Sequence, residues 1–208
     1  MSLSIFSTDI VDSGPEEPSS RPPGVTFWPR VGARVIDHVL HLLIGCTAGV
    51  AATFFVALVA GFHDESPEAL LAPLQESSWL DWVFGTLGYL AFTTVCEGFH
   101  GSTLGKRVLG FVVLNQDLAP CSFWQGLIRS VLYLVDALFF GVVAASNMRG
   151  DPDQKRLGDE KAKTIVVRRK DIARVELRSD ATFFLVLAAA CLVDLAVLTT
   201  SVLLKLAL

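Results

Sequence analysis

Charged side chains leave long gaps in this sequence. Residues 39–62 hold no acidic or strongly basic group, and 83–96 and 182–193 hold nothing more ionisable than Cys or Tyr. A helix needs about 20 apolar residues to cross ~30 Å of hydrocarbon. The gaps predict apolar helices at about 31–61, 78–97 and 181–204. A further one, at about 124–146, is interrupted by Asp136 and Gly141, and its apolar stretch from Val131 to Ala145 is short for a full span. Phe27 and Trp28 precede the first helix, and Trp79 and Trp82 open the second. Such rings favour the membrane–water interface.

Two short stretches follow another pattern. Leu109–Leu114 and Thr164–Arg168 are rich in β-branched residues, and "NQD" follows the first. They read as strands, expected to pair at the cytoplasmic surface. Ser122 is placed to cap the helix that begins "SFWQGLI". These expectations constrain one another. If 129–146 crossed the membrane completely, the two strands would lie on opposite sides. The pattern therefore favours a re-entrant or short, tilted third segment, with the C-terminus outside. The fold class is an all-α integral membrane protein. It has three to four membrane segments and a short two-stranded cytoplasmic β element.

Composition strengthens the membrane reading. Of 208 residues, 52% are hydrophobic and only 18% charged, against about 25% charged in ordinary soluble domains. Mean hydropathy is +0.53. The net charge of −4 matters less than its distribution. Residues 61–82 hold Asp64, Glu65, Glu68, Glu76 and Asp81 without a Lys or Arg, whereas 147–180 hold ten of the seventeen basic residues. Cationic loops stay in the cytoplasm. The N-terminus and 147–180 are thus expected inside, and 61–82 outside. Residues 1–24 lack an apolar signal core and read as a disordered cytoplasmic tail. Cys46, Cys96, Cys121 and Cys191 read as small buried hydrophobes.

A charged device occurs twice. "RVGARVID" (30–37) and "RSVLYLVD" (129–136) each place an Asp seven residues after an Arg. Seven residues make nearly two helical turns, so Arg30 and Asp37 share a face, as do Arg129 and Asp136, about 10 Å apart along the axis. An Asp at mid-bilayer costs about 2.5–3.5 kcal/mol on insertion scales, so each needs a partner. The repeat suggests crossed pairs: Arg30 with Asp136, or Arg129 with Asp37.

These stretches carry a family resemblance. "FWPRVGARVID" (27–37), "EGFHGSTLGKRVLGFVVL" (97–114), "SFWQGLIRSVLYLVD" (122–136) and "QKRLGDEKAKTIVVR" (154–168) resemble, in order and spacing, the RDD family of small membrane proteins. The resemblance covers 25–170, leaving 171–208 as a linker and an additional membrane helix. It implies that Arg30, Asp37 and Asp136 are signature residues. Thr103, Gly105, Lys106 and the Leu157-Gly158-Asp159 turn are further motif positions. Pro29 and Lys163 depart from the pattern, Lys163 standing where the family usually has Gly. The resemblance implies undefined biochemistry, with some members linked to cation/proton antiport and others resembling assembly factors.

Other candidates compete with simpler roles. "GSTLGKR" (101–107) fails the phosphate-loop pattern, with His100 at its first Gly and Arg107 at its Ser/Thr position. It reads instead as a tight turn that sets Lys106 and Arg107 against anionic lipid. Asp37 with His41, and Glu97 with His100, could form an interfacial polar cluster or a proton relay. Asp159 reads as a turn cap or a partner of Lys155 or Arg156, or else simply as part of a solvated charged run. Asp194, alone in an apolar helix, is a candidate for interhelical packing through Thr199, Thr200 or a neighbouring helix, or for transport.

The sequence lacks GxSxG, HExxH and CxxC, and no enzyme activity is expected. Nor is a cofactor, a metal or a nucleic-acid partner. Two functions stay open. One is a component of cation/proton or small-solute transport, using Asp37, Asp136, Glu97 and Asp194 and a proton or monovalent cation. The other is a membrane interaction or assembly protein whose Arg/Asp network is structural. The expected surroundings are a lipid bilayer, with a homo-oligomer or a membrane-protein partner. The expected location is a bacterial cytoplasmic membrane, with the N-terminus in the cytoplasm.

Overall fold

The computed structural model describes residues 22–63, 78–172 and 177–207, with 66, 68, 71, 72 and 74 between the first two stretches. The expected tail up to residue 21, and much of the acidic 61–82 segment, lie outside the described residues. The chain runs α1 (Phe27–His63), α2 (Ser78–His100), α3 (Leu104–Val108), β1 (Phe111–Asn115), α4 (Phe123–Asp136), α5 (Leu138–Arg149), α6 (Leu157–Lys161), β2 (Thr164–Arg168) and α7 (Asp180–Ala207).

By length and composition α1 (over Phe27–Phe62) and α7 (over Asp180–Leu206) can each cross a membrane, with mean hydropathies of 2.3 and 2.5 in an 18-residue stretch of each. At about 1.5 Å per residue, the 37 residues of α1 far exceed the hydrocarbon thickness. Its charged first turns therefore project beyond the apolar part. α1 starts at Phe27, earlier than the apolar run suggested. Pro29 does not prevent this, because the first helical turn needs no backbone N–H partner. Val39, Leu42, Phe54 and Phe62 of α1 are exposed, as are Leu185 and Leu192 of α7. This suits contact with lipid. α2 packs most extensively against α7, where Phe92, Cys96 and Ala190 form an apolar core with Leu40 and Leu187.

The expected third helix is two. α4 ends at Asp136, α5 begins at Leu138, and the pair is bent by 108°. Gly141, in the left-handed region at φ +83°, lies at the bend. The Ser122 cap is present as a capping box with Gln125.

The two predicted strands pair antiparallel, with Phe111 opposite Arg168 and Asn115 opposite Thr164. The "NQD" turn closes on Asn115, whose side chain accepts from the N–H groups of Asp117 and Ala119. Both faces of the ribbon are covered. Phe111, Val113 and Val166 pack with Val25 and Ala33. Val112, Leu114, Ile165 and Val167 pack with Ile172. Val25 N–H donates to the Val166 carbonyl at 2.9 Å. The chain is thus already docked on β2 before α1 begins. Ribbon, α3 and α6 form a small platform at the N-terminal end of α1. Cys96 and Cys121 are buried as expected, but Cys46 is exposed on α1. Its apolar surroundings are on the outer, lipid-type face of the helix.

Candidate functional site

Nine charged side chains are buried where the platform meets the helices: Arg30, Arg34, Lys106, Arg129 and Arg156, with Asp37, Glu97, Asp136 and Asp159. Arg129 is at the centre and fully buried. α4 carries it in under its capped first turns, between α2 and α6. Its Nε donates to Glu97 Oε2 at 2.8 Å. Its Nη1 donates to Asp159 Oδ1 and, at 2.7 Å, to Thr164 Oγ1. Its Nη2 has no hydrogen-bond partner among the described residues.

Each carboxylate beside Arg129 collects further cations. Glu97 Oε1 accepts from Lys106 Nζ and, at 3.4 Å, from Arg34 Nη2. Asp159 Oδ2 accepts from Arg30 Nη1 and from the Arg156 N–H at 3.1 Å. Arg156 Nη2 lies 3.5 Å from Asp159 Oδ1. Arg30 also donates to the carbonyls of Val25 and Gln154, at 2.7 and 2.8 Å. Five elements, α1, α2, α3, α4 and α6, are therefore tied through two carboxylates, and Arg30 adds the segment before α1 through the Val25 carbonyl.

The electrostatics follow from this crowding. Burial alone would raise the Asp159 carboxyl, but the guanidiniums of Arg129, Arg156 and Arg30 overcome it and hold Asp159 well below the usual carboxylate range. Burial pushes the Lys106 ammonium down to about 7. Glu97 opposes that shift, while Arg34, Arg129 and Arg156 add to it. With Lys106 charged, the cluster holds five cations against four carboxylates.

Asp37 has a different task. Its Oδ2 accepts from Thr103 Oγ1 at 2.7 Å and its Oδ1 from the Gly105 N–H at 2.8 Å. It thus anchors α3 to α1. The contact is close enough that a Cβ on Gly105 would collide with the Ala33 carbonyl. Asp136 is the least satisfied member. It faces the N–H groups of Leu157 and Gly158 without reaching full hydrogen-bond geometry. Arg156 Nε is 4.0 Å away.

Beside the cluster is a cavity of about 480 Å³ between α1 and the α4–α5 bend. Val31, Val35, Val39 and Leu42 form one wall, and Ala137, Gly141 and Ala144 another. Arg30, Arg34, Arg156 and Asp136 line it too, with His38 and Tyr133.

The matching family model is that of the RDD family, and it covers residues 25–163. The chain belongs to the RDD family. No curated protein and no solved structure matches it. Family membership and the two long apolar helices indicate a membrane protein. Of the three residues that the sequence resemblance implies are signature positions, Arg30 and Asp136 belong to the cluster's Asp159 side, while Asp37 fastens the Thr103–Gly105 turn.

Several expectations are corrected by this geometry. The crossed pairs do not form: Arg30 goes to Asp159, and Arg129 goes to Glu97 and Asp159. Asp159 caps its turn and pairs with Arg156 as one reading expected, but it is fully buried and not in a solvated run. Lys106 turns inward to Glu97 rather than outward to lipid, and Arg107 pairs with Asp180. Asp37 and His41 part company. His41 Nδ1 lies 2.8 Å from Asp194 Oδ2, joining α1 to α7. Thr199 and Thr200 bond to their own helix instead. Sequence reasoning missed Thr164 and the bridging role of Arg34. Arg34 had a local signal, three residues before Asp37, whereas Thr164 had none.

Proposed function

We propose that this chain is a non-enzymatic membrane protein of the interaction or assembly kind, and that its Arg/Asp network is structural. The observation that carries this is the burial of Arg129 between Glu97 and Asp159. Groups that move ions must exchange partners with water or cargo. The central groups here are closed off and bonded to one another. Breaking such a buried ion pair by removing one partner costs about 3–5 kcal/mol, which suits a clasp.

The partner-facing surface in this reading is the platform. Arg149, Lys161, Lys163, Arg168, Lys170 and Arg178 are exposed around it. They fit a cytoplasmic face, in a bacterial cytoplasmic membrane with the N-terminus inside. β1 precedes α4, β2 follows α5, and the strands pair. That pairing supports α4–α5 as a re-entrant pair that leaves the platform and returns to it. The C-terminus of α7 is then outside, and a cysteine-accessibility scan of 150–170 and 200–207 tests this.

Transport is the second reading, favoured by Asp136 and His38 at the cavity. Purified protein in proteoliposomes separates the two. The assembly reading expects no proton-coupled cation flux, and a discrete membrane-protein adduct when a photocrosslinker at Arg168 is activated in native membranes. A flux that Asp136→Asn abolishes in a folded protein overturns it.

A further inference from the structure

The cavity between α1 and the α4–α5 bend combines features that the clasp does not require. Its volume of about 480 Å³ lies within the range of small-molecule sites. Val31, Val35, Val39 and Leu42 form a continuous apolar stripe along α1, and Val35, Val39 and Leu42 are more than half exposed. The apolar end is thus turned toward the lipid phase. Opposite the stripe, Gly141 and Ala144 are small and leave the space open.

The other end is charged and under-bonded. Arg30 is saturated by Asp159 and two carbonyls. Arg34 is not: its bonds to Tyr89 and Glu97 are 3.3 and 3.4 Å long. Its guanidinium lies over the Tyr133 ring, 4.6 Å from the centroid. Arg156 Nε, 4.0 Å from Asp136, makes no hydrogen bond among the described residues, and Asp136, which faces the N–H groups of Leu157 and Gly158, accepts none of full geometry. Two guanidiniums with spare donors and one carboxylate with spare acceptors therefore meet at one rim. Counted with these three side chains, the whole cluster carries one cation more than its carboxylates when Lys106 is charged. A buried unpaired charge is costly, and an anion placed at this rim would balance it.

We propose that the cavity binds a membrane glycerophospholipid, with one acyl chain along Val35, Val39 and Leu42 and the phosphodiester at Arg34 and Arg156. Asp136 accepts a hydrogen bond from the headgroup. The site therefore selects headgroups that carry a donor, a glycerol hydroxyl or an ethanolamine ammonium. It discriminates against choline, whose methylated nitrogen has no N–H to give. This site is independent of the assembly reading, and binding here leaves that reading untouched.

Native mass spectrometry of the full chain in detergent, with defined lipids added, tests it. Phosphatidylglycerol and phosphatidylethanolamine are expected to be retained about tenfold more than phosphatidylcholine, equivalent to about 1.4 kcal/mol. Val39→Trp fills the cavity from the exposed side of α1 and is expected to abolish retention without unfolding the protein. Arg156→Gln weakens binding of all three lipids. Asp136→Asn removes the preference over choline. Two results overturn the proposal: equal retention by Val39→Trp and wild type, or equal retention of the three lipids by wild type. Displacement of bound phosphatidylglycerol by inorganic phosphate alone also overturns it, because the site would then be a simple anion site.

Discussion

Arg129 Nε and Glu97 Oε2 are 2.8 Å apart, and both side chains are sealed from solvent. Glu97 sits near the end of α2, and Arg129 nearly two turns into α4. The other end of the same guanidinium reaches Asp159 on α6 and Thr164 on β2. One side chain therefore holds α2, the bent pair and the platform in register. Paired, bonded charges are tolerated in such a place, and lone ones are not.

Asp37 extends the clasp to α3. Asp37→Ala leaves the Thr103 hydroxyl and the Gly105 N–H without an acceptor, which costs about 1–3 kcal/mol for each buried group left unpaired. Thr103→Ser, which keeps the hydroxyl, is expected to stay near wild type. Gly105→Ala drives a methyl into the Ala33 carbonyl and is expected to cost about as much as other overpacking changes, 1–3 kcal/mol. Denaturant unfolding in detergent ranks the three, and faster hydrogen exchange over 103–109 locates the damage.

Lys163 offers a gain. It holds φ +53°, in the left-handed region, where a side chain costs about 1–2 kcal/mol. This agrees with the departure noted from the family pattern, which the resemblance implies has Gly at that position. Lys163→Gly is expected to raise stability by about 1 kcal/mol, visible as a higher melting temperature. An unchanged or lower one would show that the turn relieves the strain in another way.

Much of the architecture could be read from the sequence, because apolar runs, β-branched runs and caps are local signals. They located α1, α2 and α7, both strands with their pairing, and the Ser122 cap. Charge partners are not local. Helical periodicity says that Arg30 and Asp37 share a face, but nothing about what packs on that face. Arg30 finds Asp159 across 129 residues of chain, and only the docking of the platform brings them together. The same limit hid the inward turn of Lys106. Its neighbours in "GSTLGKR" look like a surface loop, and the α3 turn points it at Glu97.

His41 and Asp194 join α1 to the helix beyond the RDD module. His41→Leu leaves the buried Asp194 without its partner, and Asp194→Leu leaves His41 without its own. Each is expected to destabilise by a few kcal/mol, and the double leucine variant to recover most of that loss, as apolar replacements of buried polar pairs do. Thermal melting of all three variants checks this. Strictly additive losses would mean that the two residues do not act as a pair.

Acid should open the clasp from the platform side. Asp159 is held well below the ordinary carboxyl value, about 3.9 in an unfolded chain. A depressed carboxyl contributes stability that is present in full above the unfolded value and is lost as pH falls through the folded one. The Asp159 contribution is therefore flat from pH 8 to about 5 and declines below about 4. Asp159→Asn should flatten that acid limb while lowering stability at pH 7. Unfolding free energies of both proteins from pH 3 to 8 show whether it does.

The most direct test of the clasp is a double-mutant cycle on Arg129 and Glu97, read by denaturant unfolding of the full chain in detergent. The account predicts that Arg129→Gln and Glu97→Gln each cost about 3–5 kcal/mol. The double variant should lose less than their sum by at least about 1 kcal/mol. Single variants that unfold like wild type would contradict a structural role for this network.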